Sequence, residues 1–182
     1  FSTRLSGAKI GVWQLDKLLA QGGMSAVYLA SRQDGQFEQH VAIKVLNPLI
    51  YPVSPNSKAF DEAGLCARLS HQAITTMLDS GVIEYEGQQA HNIVMEYVDW
   101  MPLTQRLEQA KPTLETVLQL MLELCEALHY AHAYQVIHAD LKPANILVSS
   151  QGHARLIDFG ISQLQQNDQD LDKQTQRYVR AM

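Results

Sequence analysis

The chain has 182 residues, 46% of them hydrophobic, with 14 Lys and Arg against 19 Asp and Glu for a net charge of −5, which suits one globular domain or two small lobes. An acidic balance without a Lys/Arg run interleaved with aromatics argues against a nucleic-acid backbone as the main partner, and no apolar stretch approaches the roughly 20 residues of a membrane span. Cys66 and Cys125 form neither a Cys-x-x-Cys pair nor a disulfide framework, and no signal segment is seen at the N-terminus, so a reducing, cytoplasmic setting is expected.

From Ile10 to Val45 three β-type runs, "IGVWQLDKLL", "SAVYLAS" and "HVAIKVL", alternate with the turn-rich "AQGG" and "RQDGQFEQ" and predict an antiparallel meander. Pro48, Pro52 and Pro55 mark a loop, after which Phe60, Ala63 and Ala67 are spaced for a helix over 57–69. "MLDSGVIEY" and "AHNIVMEYV" flank "EGQQ" and extend the sheet, giving a lobe of five strands and one helix. After Trp100 the period changes. A short helix is expected over Leu103 to Ala110, and Leu114, Val117, Leu118, Met121, Leu124, Cys125, Leu128 and Ala131 then recur at helical spacing behind Pro112 and Thr113. The polar "QLQQNDQDLDKQTQR" that follows has no periodicity and is expected to be mobile.

Four stretches carry chemistry. In "LLAQGGMSAVYLA" the side-chain-free Gly22 and Gly23 would let backbone N–H groups lie over phosphates, although short glycine turns are also common in plain hairpins. "VAIK" ends an apolar strand on Lys44, whose buried ammonium would need an anionic partner; Glu62 on the next helix is the natural one, and an exposed strand-edge lysine is the bland alternative. "VIHADLKPANILV" frames Asp140, able to accept a proton from an attacking hydroxyl, Lys142, able to neutralise a phosphoryl group, and Asn145, a metal ligand. "LIDFG" adds Asp158, a second oxygen ligand suited to Mg²⁺ rather than zinc, and Gly160 as a pivot. His129 and His132 lie three apart on a helix but lack further ligands, and Asp168, Asp170 and Asp172 lack the Gly and Glu of a calcium loop, so both groups read as structural or solvated.

The ordered set of glycine turn, "VAIK", Glu62, "HADLKPAN" and "DFG" resembles the eukaryotic-like (Hanks-type) Ser/Thr protein kinases of bacteria, and "GGMSAVYLA" and "IVMEYVD" look especially bacterial. The resemblance implies an α+β, kinase-like two-lobed fold, with residues 1–98 as N-lobe and hinge and 99–182 as a partial, helical C-lobe. It also implies ATP and Mg²⁺, with transfer of the γ-phosphate to Ser/Thr hydroxyls of a protein. Asp140 and Lys142 would be catalytic and Asn145 and Asp158 metal ligands, while Ala20, Gly22, Gly23, Met24, Ser25, Val27, Ala42, Lys44, Glu62, Met95, Glu96 and Val98 would form the ATP site. Within that site Met95 maps to the gatekeeper, Glu96 and Val98 to the adenine-binding backbone, and Val27 and Ala42 to the cover of the ring. Cys66, His138 and Phe159 map to the apolar stack that joins the lobes.

The chain departs from the family pattern at several places. Ala20 and Ser25 stand at the outer glycines of G-x-G-x-x-G; Ala139 replaces the arginine that pairs with a phosphorylated activation loop, which leaves Thr175 a weak phosphosite; and Trp100 follows "EYVD" where relatives carry Gly, at the mouth of the ribose pocket. The A-P-E segment and later helices of the family are not in this sequence, which begins at Phe1 and reads as a piece of something longer. Such a piece is expected to be poorly active and to self-associate through uncovered C-lobe surface. The rival reading is a pseudokinase-like module that holds nucleotide or a partner without transfer. A small-molecule phosphotransferase of related fold is less favoured because "HADLKPAN" carries the lysine typical of protein kinases.

Overall fold

The computed structural model describes residues 5–53, 64, 66–85, 87–109 and 111–159. Glu62 with most of its expected helix, Gly160, Thr175 and the Asp168–Asp172 run lie outside the described residues.

The first sheet contains β1 (Lys9–Ile10), β2 (Trp13–Gln21), β3 (Ser25–Arg32), β4 (His40–Leu46), β5 (Met77–Tyr85) and β6 (Gln88–Glu96), antiparallel throughout in the order β1-β2-β3-β4-β6-β5. The five expected strands are there, and the two-residue β1 extends the edge beyond β2. Pairing of Tyr85 with Gln88 leaves only two residues for the turn, tighter than the "EGQQ" loop read from the sequence; Gly87 takes φ 75°, which glycine alone adopts freely.

Strand β4 explains its own apolar sequence. Val41, Ile43 and Val45 pack with Leu15, Ala26, Tyr28 and Ala30 on one face, while Ala42 and Leu46 pack with Tyr51, Ile93 and Met95 on the other. Both faces are covered, so the strand reads as a continuous apolar run. The two-residue period then assigns Lys44 to the face of Ala42 and Leu46.

A second sheet of β7 (Met101–Pro102), β8 (Ile146–Val148) and β9 (Ala154–Leu156) packs against the helical part, in which α1 spans Leu103–Gln109 and α2 spans Leu114–Ala133. Thr113 caps α2, its Oγ1 accepting from Thr116 N at 3.2 Å. Leu120, Leu124, Ala127 and Ala131 bury one face of α2 against Val136, Ile146, Val148, Ala154 and Leu156. Each fully buried leucine contributes about 1.5–3 kcal/mol. Of the stripe picked out by sequence spacing, Leu124, Leu128 and Ala131 face this core, whereas Leu114, Val117, Leu118, Met121 and Cys125 are exposed, as is Leu122, so α2 is apolar on two sides and the described residues cover one.

The two sheets are tied where residues 73–75 run beside β9. Leu156 N donates to Ala73 O at 2.8 Å and Thr75 N to Leu156 O at 2.9 Å, which carries the chain directly to Asp158 under the first sheet.

Candidate active site

Between α2 and β8 the chain makes a polar loop whose shape follows from its own side chains. Asn145 Nδ2 donates to Asp140 O at 2.8 Å and to Asp140 Oδ2 at 3.1 Å, closing the loop across the 3₁₀ turn Pro143–Asn145. Lys142 Nζ lies 2.7 Å from Asp140 Oδ2, and this contact, with help from Asn145, holds the Asp140 carboxyl below the usual carboxylate range. Asp140 is therefore ionised at neutral pH. Among the described residues, both bonds of the Asn145 carboxamide to Asp140 use Nδ2, and its Oδ1 can serve as an oxygen donor.

His138 fixes the loop from beneath. It is 2% exposed; its Nδ1 accepts from Asp140 N at 3.3 Å, so Nε2 carries the proton and donates to Ile157 O at 2.9 Å. Burial pushes its pKa down, against the opposing effect of the Ile157 carbonyl, consistent with this neutral tautomer. The His138 and Phe159 rings meet at 4.7 Å, and Cys66 Sγ lies 3.7 Å from Phe159 O, so Cys66, His138 and Phe159 are contiguous. Ala139 and Asp158 both adopt left-handed backbone, φ 60° and 68°, in conformations that cost non-glycine residues energy and that cluster at functional sites.

Lys44 Nζ reaches Asp158 Oδ2 at 3.0 Å across the space between the sheets, and both side chains are largely buried. The described partner of Lys44 is thus Asp158; the expected partner Glu62 lies outside the described residues. Gly22, Gly23, Met24, Ser25, Lys44, Asp140, Lys142, Asn145 and Asp158 line one cleft of about 490 Å³, closed at its sides by Leu46, Tyr51 and Ala139. Beside it, Val27 packs on the cluster of Ala42, Ile93 and Met95, and in the sheet register Val27 faces Ala20 and Lys44 while Ala42 faces Met95. A small cavity of about 20 Å³ lies behind Met95, between Ile93, Cys66 and Phe159. Glu96 and Val98, both half-buried, follow Met95. No cluster of three or more His, Cys, Asp or Glu that could bind metal occurs among the described residues, and His129 and His132 gather no further ligand there.

A family model for the protein kinase domain matches residues 13–180. The chain belongs to the protein kinase family. Serine/threonine-protein kinase PknB of Mycobacterium tuberculosis is 36% identical over 152 residues, 82% of this chain and 24% of that one. A probable serine/threonine-protein kinase of Streptomyces coelicolor is 34% identical over 154 residues, covering 84% and 23% respectively. The crystal structure of the Mycobacterium tuberculosis PknI kinase domain matches with a TM-score of 0.72 at 32% identity, over 86% of this chain and 61% of that one. The kinase chain described here spans about a quarter of the length of these curated relatives. The resemblance to bacterial Ser/Thr kinases and the α+β kinase fold read from the motifs are borne out.

Three features of this kinase domain were not visible as motifs. Arg155 on β9 bonds Gln72 O at 3.0 Å and Glu96 Oε1 at 2.8 Å, and its guanidinium lies 5.1 Å from the centre of the Trp100 ring. Trp100, read from the sequence as a neighbour of the ribose pocket, thus stacks on the side where β9 meets the residues after β6. Glu123 is a buried carboxylate on α2 that accepts from Ala154 N at 2.7 Å. Asn47 bonds the glycine turn. All three depend on partners between about twenty and eighty residues away, a separation that local spacing does not encode.

Proposed function

We propose that this kinase chain holds ATP in the cleft between its two sheets and belongs to a protein that transfers the γ-phosphate to Ser/Thr hydroxyls of protein substrates. The observation that carries the proposal is the convergence of the glycine turn, Lys44, Asp140, Lys142, Asn145 and Asp158 on one cleft of about 490 Å³. We place the lobe boundary after Val98.

The proposed chemistry is positioning and charge stabilisation. Val27, Ala42 and Met95 offer apolar contact to an adenine ring, and the backbone of Glu96 and Val98 its hydrogen bonds. Lys44 neutralises the α- and β-phosphates, exchanging part of its contact with Asp158 for theirs. Asp158 through its carboxylate and Asn145 through Oδ1 present the oxygen donors that a hard ion prefers, and they would hold Mg²⁺. When bound, that ion spreads the negative charge of the phosphates. Asp140, ionised and anchored by Asn145, orients the acceptor hydroxyl and takes its proton as the new O–P bond forms and the bond from the γ-phosphorus to the bridging oxygen breaks, releasing ADP. Lys142 offsets charge on the phosphoryl group in transit.

The exposed apolar side of α2 supports self-association of the 182-residue chain and slow transfer by it alone, since the loop that carries Asp140 starts from the C-terminal end of that helix. Radiolabelled ATP with a generic protein substrate tests the activity, in the full-length protein and in residues 1–182. Label appearing on Ser or Thr with the full-length protein is the expected result. Nucleotide binding without any transfer would favour the rival, a module that holds nucleotide or a partner.

A further inference from the structure

Gly22 and Gly23 form the tip between β2 and β3, yet neither takes a positive φ, and a Cβ built on either meets nothing within 4 Å. The chain's own packing does not require glycine at these positions. The bare backbone there leaves room for close approach by a bound group.

The tip is fastened by Asn47, the first residue after β4. Its Nδ2 donates to Gly23 O at 2.8 Å and its backbone N–H to Met24 O at 2.9 Å. Asn47 is itself held: it is 8% exposed, its Oδ1 accepts from Leu49 N at 3.0 Å, and its carbonyl accepts from Ile50 N at 3.0 Å and Tyr51 N at 2.8 Å. The buried Tyr51 adds a contact from its hydroxyl to Met24 Sδ at 3.7 Å, and Gly22 N donates to Ser25 O at 2.9 Å within the turn.

The geometry has a directional consequence. In a planar trans peptide the C=O and the following N–H point in opposite directions. With the carbonyls of Gly23 and Met24 both turned to Asn47, the N–H groups of Met24 and Ser25 face away from it. One residue therefore sets the direction of two consecutive donors in a turn that lines the cleft with Lys44 and Asp158.

We propose that Asn47 is a positioning residue for phosphate binding, holding the Gly22–Ser25 turn in one conformation so that its backbone donors meet the polyphosphate of a nucleoside triphosphate already ordered. The inference rests on the nucleotide reading above and deepens it. It also gives a reason why a turn with Ala20 and Ser25 in place of outer glycines can serve: order supplied by Asn47 replaces adaptability supplied by glycine.

The test is calorimetric titration of wild type and Asn47→Ala with the Mg²⁺ salt of the non-hydrolysable analogue AMP-PNP and, separately, with adenosine. Losing the anchor is expected to weaken AMP-PNP about tenfold, the worth of one well-made hydrogen bond, while adenosine affinity stays unchanged. Asn47→Gln, which keeps a donor one methylene displaced, should fall between the two. An equal loss for both ligands would make Asn47 merely structural and overturn the inference, and so would tighter AMP-PNP binding by Asn47→Ala, which would mean that the bonds hold the turn shut. If wild type binds neither ligand, the nucleotide reading itself falls and takes this inference with it. Should Asn47→Ala not fold, the side-chain amide resonance of Asn47 in wild type decides: it should shift with AMP-PNP and not with adenosine, and a resonance indifferent to AMP-PNP would contradict the role.

Discussion

Glu123→Ala probes the latch between α2 and the second sheet. Glu123 is 8% exposed and accepts from Ala154 N at 2.7 Å, from Gln119 Nε2 at 2.8 Å and from His153 Nδ1 at 2.8 Å. Ala154 is 2% exposed, so water cannot easily replace the lost acceptor. A charge-assisted bond removed with its buried donor left unpaired costs about 2–3 kcal/mol, and the two side-chain partners bring the total to about 3 kcal/mol. For a chain of this size that corresponds to a fall in Tm of about 6–12 °C, measurable by calorimetry at pH 7. Burial alone would push the Glu123 carboxyl up, but the bonds from Ala154, Gln119 and His153 outweigh it and hold it below its ordinary value of 4.5. A carboxyl lowered in the folded state stabilises fully above its unfolded pKa, and that contribution fades as pH falls from there through the lower folded value. Glu123→Gln should therefore flatten the acid limb of stability below about pH 5. An alanine variant melting within 1–2 °C of wild type (~0.5 kcal/mol at this size), or an unchanged acid limb in the glutamine variant, would refute the reasoning.

Further outcomes follow from other residues. Ala139→Gly should raise Tm by about 1–3 °C, because glycine relieves the left-handed φ of 60° at a partly offsetting entropy cost; a lower Tm would contradict strain at that position. Lys44→Met should weaken AMP-PNP at least roughly tenfold in a titration, and cut transfer by the full-length protein by orders of magnitude, while the methionine keeps the packing beside Ala42 and Leu46 but leaves the Asp158 carboxylate without its cation, so that Tm falls by a few degrees rather than the fold being lost. Light scattering of residues 1–182 should show association that Leu118→Gln with Leu122→Gln reduces, since these side chains are 59% and 56% exposed; a monodisperse wild type would remove the basis for that expectation.

How far the sequence could be read depends on the range of the interaction. Strand β4 was legible as a strand because burial on both faces leaves an unbroken apolar run, but whether Lys44 met an anion or solvent stayed open until the partner strands covered both faces. The polar loop from His138 to Asn145 was legible because its bonds join residues two to five apart. Helix α2 was legible as a helix but only partly in its orientation: it is apolar on two sides, and spacing picked up the buried Leu124 and Ala131 together with the exposed Leu114, Leu118 and Met121 while passing over the buried Leu120 and Ala127. Asn47 has no local signal beyond its place before the proline-marked loop, and Arg155 has none. What gives them roles is the tertiary placement of Gly23 and Glu96, which no local pattern announces.

The central claim, that one cleft brings phosphate, metal and acceptor groups together, is tested most directly by titrating AMP-PNP with and without Mg²⁺ into wild type, Asp158→Asn and Asp140→Asn. Wild type should bind more tightly with Mg²⁺. Asp158→Asn should lose most of that metal-dependent gain, while Asp140→Asn should keep it and fail only in transfer. Equal loss in both variants, or wild-type binding indifferent to the ion, would contradict the division of labour between the two carboxylates on which the account depends.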